Sequence, residues 1–460
     1  MTQIDVLPDD VLLLIFGFYL DGRIWYGGIE AWQSLVHVCR RWRSLVFQSP
    51  RGLNLLLHCT PETPVKDKLD HVLPALPLVI EGDMVLMELF SGTDNVVAAL
   101  GKTNRVYKVD LYLVRWQLED VLSAMQVLFP ELTDLRLSLH SSELTFGRSP
   151  VIPDAFLGGS APCLRILHLT RISFPGLPKL LLSAAHLVEL RLCHTEYISP
   201  EAIAASLSVL SSLESLKLIF KCDDYPRHRS SLPPSKRSTL PALVKFHFEG
   251  AIQYVEELVS RIETPQLIEM HITFLDLDQI HSGCPRLSQF INCLPTLRER
   301  DEAYVRFCKV AVELRLGYRS FKSPLDDLQI NITCRGSDQL LSSIGIFNSS
   351  LHPPSTVEDL YIENRQLGEN DAIENDLLLK ILLPFTAVKN LYLFKEFVPC
   401  IVATLQELVG DRITEVLPSL QNILVERFEP SASFQGTIGQ FFAMRQLLGC
   451  PIAVSVWSRS

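Results

Sequence analysis

The sequence predicts an α/β protein, with a small helical segment followed by a solenoid of parallel strands on a concave side and helices on a convex side. Three observations carry this. The first fifty residues read as short helices with more apolar surface than they can hide among themselves. From residue 106 a template of apolar, two variable, apolar, one variable, apolar positions recurs along the chain. The stretches between its copies often read as helices. Composition permits such a fold: 460 residues, 47% hydrophobic and 20% charged, with mean hydropathy +0.20, can bury a large core in two or three domains.

The N-terminal segment is taken as 1–50. Leu7-Pro8-Asp9-Asp10 opens a helix expected to run to about Leu20. Proline suits a first helical position, and two carboxylates favour the positive end of the helix dipole. Val11, Leu12, Ile15, Phe16 and Tyr19 form one stripe, but Leu13 and Leu14 are apolar as well. A helix this apolar on all sides needs neighbours on two of them. A glycine-bearing loop, Asp21–Ile29, precedes a second helical stretch from Glu30, which continues through Cys39-Arg40-Arg41-Trp42-Arg43 to Phe47. A segment near 45 residues is small for a core of its own, so its excess apolar face should meet a partner, the rest of the chain, or both.

Seven copies of the repeat begin at Val106, Leu132, Leu164, Leu187, Leu213, Leu243 and Leu267, and three more at Leu325, Val357 and Val388. Neighbouring starts lie 23 to 32 residues apart, except for a 58-residue gap after Leu267 that should hold another unit near Ala303–Phe307. Leu420 opens a weak final copy. Ser199-Pro200-Glu201 gives an N-cap, a first-turn proline and an acid before Ala202–Leu210. Ile252, Val255, Leu258, Val259 and Ile262 make a second helical stripe, and Cys400–Val409 a third. Strand plus helix at this period is the arrangement of a leucine-rich repeat, in which one unit cannot bury its apolar face until its neighbours stack on it. The solenoid is assigned to 106–460. Residues 51–105, broken by Pro61, Pro64, Pro74 and Pro77, read as a join with a possible degenerate first repeat, where Leu53–His58 and Leu76–Ile80 suit strands.

The net charge of −10 argues against a partner that is mainly nucleic-acid backbone. Eleven cysteines without a Cys-x-x-Cys pair read as reduced thiols of a cytoplasmic or nuclear protein, and the acidic start shows no secretory signal. No metal site, cofactor or membrane partner is expected. Gly101-Lys102-Thr103 lacks the earlier glycine of a phosphate loop, Val96 standing there, and reads as a solvated turn. No nucleophile elbow or acid/base pair appears, so an enzyme is not expected. Asn331-Ile332-Thr333 and Asn348-Ser349-Ser350 match glycosylation sequons that are idle without secretion. The polar, basic stretch Cys222–Thr239 reads as an insertion projecting from the solenoid.

The N-terminal segment resembles an F-box. The resemblance lies in Leu7-Pro8-Asp9-Asp10, Ile15-Phe16, Leu20, Leu35 and Val38-Cys39-Arg40-Arg41-Trp42-Arg43, about 45 of the 460 residues. With the repeats behind it, the chain looks like a leucine-rich F-box protein of the fungal type. The loop with Trp25 and Tyr26 is longer than the family's usual one, and Asp10 stands where a glutamate is common. The resemblance implies docking on a Skp-type adaptor, and through it on cullin, with the repeats recruiting a protein substrate for a ubiquitin ligase. It implies Leu7, Pro8, Val11, Ile15, Leu35, Val38 and Trp42 as adaptor contacts. A non-degradative F-box scaffold and a plain protein-binding solenoid are the alternatives. Strand alternation places Arg136, His168, Arg191 and Lys217 opposite the repeat leucines, as candidate substrate-binding residues on the concave face.

Overall fold

The computed structural model describes residues 7–21, 31–49, 56–62, 76–84, 93–140, 149–220, 237–274, 284–294, 301–308, 311–317, 328–333, 356–365, 375–408, 413–426 and 432–457. The chain divides into two compact units, Met1–Leu187 and Val188–Ser460.

The first unit opens with three helices, α1 (Asp9–Asp21), α2 (Ala31–Val36) and α3 (Arg40–Gln48). The stretch after α2 is not one helix: it breaks at His37–Cys39, and the Cys39 Sγ caps α3 by accepting from the Trp42 N–H at 3.4 Å. Pro8 sits just before α1, where its carbonyl accepts from the Leu12 N–H at 3.1 Å. Five strands follow in parallel: β1 (Leu57–Cys59), β2 (Leu78–Asp83), β3 (Val106–Leu113), β4 (Asp134–Leu139) and β5 (Ile166–Thr170). The stretch read as a join thus supplies the first two strands. Helices α4 (Asp94–Leu100), α5 (Arg115–Ala124) and α6 (Leu177–Leu181) lie in the connections. Gly101-Lys102-Thr103 is the turn between α4 and β3.

The second unit runs β6 (Glu189–Thr195), α7 (Pro200–Leu207), β7 (Ser215–Phe220), β8 (Ser238–Thr239), β9 (Lys245–Gly250), α8 (Ile252–Val259), β10 (Ile262–Glu263) and β11 (Glu269–Phe274). It continues with α9 (Pro285–Asn292), β12 (Glu302–Cys308), β13 (Ala311–Gly317), β14 (Leu328–Thr333), β15 (Asp359–Arg365), α10 (Asn375–Leu382), β16 (Asn390–Leu393), α11 (Val398–Gln406), β17 (Asn422–Glu426), α12 (Ala432–Leu447) and β18 (Ala453–Trp457). Its main sheet has the order β6-β7-β9-β11-β14-β13-β12-β15-β16-β17-β18. All pairs described in it are parallel except β12–β13 and β13–β14. The expected unit near Ala303–Phe307 is β12, yet it lies beside β15, separated from β11 by two strands, and the chain returns through an antiparallel meander to set β14 against β11. Successive helices pack on one another, α7 on α8 and α8 on α9, then α10 on α11 and α11 on α12.

The template positions explain the core. Of the copies whose side chains are described, every one buries its three residues: Leu132, Leu135 and Leu137, Leu213, Leu216 and Leu218, and Val388, Leu391 and Leu393 are each at most 2% exposed. In these three copies alternation turns the last two residues to one side of their strand, and the first stands just before the strand begins. Ser199 caps α7 as expected, its Oγ accepting from the Ala202 N–H at 3.2 Å. The second helical stripe stops earlier than its spacing predicts: α8 ends at Val259, and buried Ile262 belongs to β10, paired with β8. Cys222–Thr239 lies outside the described residues up to 236.

Candidate functional site

The helical module divides the side chains of α1 between two surroundings. Leu12 and Phe16 are fully buried with Leu35, Val36, Leu45 and Val46. Leu7, Leu13, Tyr19 and Trp42 pack on this cluster, as do Leu57 and Leu76 from the start of the sheet. Phe16 and Trp42 bring their ring centroids to 4.6 Å. The module thus completes its core with Leu57 of β1 and Leu76 just before β2, which is how fewer than fifty residues find enough to bury. The opposite stripe remains open. Leu14 is 65% exposed, Ile15 41% and Phe18 80%, with half-buried Val11 at the same 3–4 residue spacing.

Of the residues implied as adaptor contacts, Val11 and Ile15 lie on this open stripe, exposed Pro8 precedes it, and Val38, 59% exposed, lies between α2 and α3. Leu7 and Trp42 lean on the core, and Leu35 is inside it at 6% exposure. Leu14 and Phe18 were not singled out from sequence, although Val11, Leu14, Ile15 and Phe18 share one 3.6-residue face. Arg41 ties the modules' entry together: it donates to Asp9 Oδ1 at 2.5 Å and to the Leu7 carbonyl at 2.6 Å. Arg43 donates to the Val36 carbonyl at 2.9 Å, closing the break between α2 and α3.

The second candidate surface is the sheet face opposite the repeat leucines. Arg136 and His168 are register partners on β4 and β5, and Arg191 and Lys217 on β6 and β7. Arg136, His168 and Lys217 are half-buried and Arg191 is exposed, while the leucines on either side are buried. Arg136 lies 3.8 Å from both Asp110 and Asp134, and Arg191 pairs with Glu189. In the second unit the row of Arg191 and Lys217 continues through His247, His271, Gln329 and Arg315. It then crosses three tyrosines, Tyr304, Tyr361 and Tyr392, before Leu424 and Ser455. Arg306 next to this row bridges Glu313 and Glu363 at 2.8 Å each, and Gln329 donates to Glu313 at 2.7 Å.

Burial, assisted by Lys217, His271 and Arg191, pushes the His247 imidazole down from 6.5 to about 4. Between those values the unfolded chain takes up a proton that the folded chain refuses. The associated stability is complete above pH 6.5 and falls as the pH drops toward 4. His247→Gln should therefore remove about 1–2 kcal/mol of acid-dependent loss once solvent screening is allowed for. Denaturant titrations of both proteins at neutral pH and near pH 4 check this; identical pH slopes would refute it.

Among the described residues no group of His, Cys, Asp and Glu can hold a metal ion, and no helix is long and apolar enough to cross a membrane. Residues 4–50 match the family model described as F-box-like. No curated protein matches the chain. Among solved structures, the leucine-rich repeat-containing protein LegL7 from Legionella pneumophila is 12% identical with a TM-score of 0.25, covering 86% of this chain and 98% of that one. A leucine-rich repeat protein of Leptospira interrogans is 14% identical with a TM-score of 0.19, covering 77% of this chain and 91% of that one. The fold itself stands on the register and buried template positions described above. The chain therefore combines an F-box-like domain with a leucine-rich-repeat fold, the make-up of a protein-interaction adaptor. F-box domains generally bind Skp-type adaptors, which sets the kind of partner.

Proposed function

We propose that this protein is the substrate-recognition subunit of a cullin–RING ubiquitin ligase of the SCF type. The observation that carries the reading is the open stripe Val11, Leu14, Ile15 and Phe18 on an F-box-like domain whose opposite face is committed to its own core. An exposed apolar stripe of this kind marks a protein interface. The repeat-bearing sheet then recruits a protein substrate, and the chain does no bond chemistry of its own. It raises the local concentration of a substrate lysine beside a charged ubiquitin-conjugating enzyme, contributing proximity and orientation. Such ligases work in the cytoplasm and nucleus, and free cysteines such as exposed Cys163 and Cys293 suit those reducing compartments. Co-purification of the full chain tests the reading: a receptor brings both adaptor and cullin. Adaptor without cullin would mean a non-degradative scaffold, and neither would mean a plain protein-binding solenoid.

A further inference from the structure

The sheet of the second unit ends on β18, and among the described residues no strand lies on its far side. Ala453–Trp457 pair in parallel, in unbroken register, with Asn422–Glu426. The Ala453 N–H donates to the Gln421 carbonyl at 2.8 Å, so Ala453, Ser455 and Trp457 turn their backbone groups toward β17. Alternation then points the N–H and C=O groups of Val454 and Val456 to the open side. Their side chains are also uncovered. Val454 and Val456 are register partners of buried Ile423 and Val425, yet they are 41% and 58% exposed. Met444, Leu447 and Leu448, at the end of the helix that precedes this strand, are exposed as well.

Repeat arrays and sheets close such an end by recognisable devices. A terminal unit carries a polar outer face, and an edge strand is short, charged, bulged or covered. The first unit has two of these: its outermost strand, β1, is three residues long, and Leu57 packs on the helical module. Among the described residues nothing comparable protects β18. Ile452 to Trp457 contain no charged residue and no proline. Trp457 sets its ring against Tyr392 and Phe394, with centroids 5.5 and 5.4 Å away, which holds the strand extended while its outer edge stays open.

We propose that β18 pairs antiparallel with β18 of a second copy of this chain, about a two-fold axis at Ser455. The strand itself selects this occupant. With Ser455 opposite Ser455, Val454 of one copy meets Val456 of the other. These are the residues whose backbone groups point outward, so each such pair exchanges both of its N–H···O bonds and no outward group of Val454 or Val456 is left over. The valines of both copies then stand together on the core side of the joined sheet, as cross-strand β-branched pairs do favourably. On the other side Ala453 faces Trp457, small against large. The strand carries no charge that would select a different partner. A contact of this kind is isologous and closes on itself, so it caps two sheets and builds no filament. It is independent of the ligase reading.

Sedimentation of the full chain over about a hundredfold range of concentration should show a reversible shift from the 51.9 kDa monomer to twice that mass. Val456→Pro removes an outward N–H, leaves the ladder to β17 intact, and should weaken the dimer at least about tenfold. Ser455→Cys tests the axis. In a non-hydrogen-bonded antiparallel pair the Cα atoms lie about 4.5 Å apart, within disulfide reach. Glutathione disulfide should therefore link two copies of this variant, and should link Val454→Cys, which faces a valine, at least about tenfold less. The parent, with exposed Cys163 and Cys293, sets the background. If Val456→Pro melts early, Ser455→Cys decides alone, because it replaces an exposed side chain by one of similar size. A parent that stays monomeric would overturn the proposal. So would a dimer that a folded Val456→Pro leaves unchanged, or cross-linking of Ser455→Cys no greater than that of Val454→Cys.

Discussion

Leu14→Asp combined with Phe18→Asp should abolish adaptor binding while leaving the fold intact. Both side chains stand on the open stripe, 65% and 80% exposed, and neither contributes to the buried cluster of Leu12, Phe16, Val36 and Val46. Placing a carboxylate there costs the free chain little, because it stays in water. In a complex it would have to be desolvated against an apolar partner, and truncating such anchors alone typically costs about 2–4 kcal/mol each. The double variant should therefore lose at least about a hundredfold in affinity. Leu35→Ala makes the contrast: Leu35 is inside the core at 6% exposure, so its loss should destabilise the chain by the cost of a buried leucine, about 2–5 kcal/mol, and lower the melting temperature. Leu7→Ala should behave likewise to a smaller extent, since Leu7 packs on the cluster. A pull-down with purified adaptor, beside thermal melts of all three proteins, checks the assignment. Undiminished binding by the Leu14 and Phe18 variant would remove the stripe from the interface.

How much of this was readable beforehand depends on what a sequence period encodes. The apolar template fixes which residues of each strand are buried, and it located β3 to β7, β9, β11 and β15 to β17 from spacing alone. It does not encode strand direction. Val312, Leu314 and Leu316 alternate on β13 as they would on any repeat strand, yet β13 runs antiparallel between β12 and β14. Only the chain length between strands could have hinted at this, since a hairpin leaves no room for a crossover helix. The helix α1 was legible as apolar all round, which implied two neighbours, but not which face meets which. The buried face is shared by Leu35, Val36, Leu45 and Val46 of the module with Leu57 and Leu76, which lie beyond its boundary near 50. The row of three tyrosines stayed hidden for a related reason. Tyr304, Tyr361 and Tyr392 are far apart in sequence, and the pairing of β12 with β15 that joins the first to the others breaks sequential order.

Arg445→Met should destabilise the C-terminal end of the second unit by about 3 kcal/mol. Arg445 is fully buried on α12, the largest of the described side chains to be so, and its guanidinium is spent on backbone carbonyls. It donates to Ile413 and Leu420 at 3.1 Å and reaches Pro418 and Leu417 at 3.3 and 3.4 Å. These carbonyls lie within residues 413–420, a short 3-10 turn and bends that lead into β17. A buried carbonyl without a donor costs about 1–3 kcal/mol, so one arginine offsets several such losses while bearing the cost of its own desolvation. Methionine matches much of the arginine stem in volume, and the variant therefore tests the hydrogen bonds more than the packing. Lysine should rescue only in part, because its single ammonium lacks the planar fork that meets four separate acceptors. Repeat units couple mainly to their neighbours, so the damage should stay local. Hydrogen exchange should quicken across β17 and β18 while β3, β4 and β5 keep their protection. A variant that melts with the parent and exchanges no faster at Ile423 and Val425 would show that water replaces the guanidinium there, and that the segment before β17 holds its shape by packing of Leu417 and Leu420 alone.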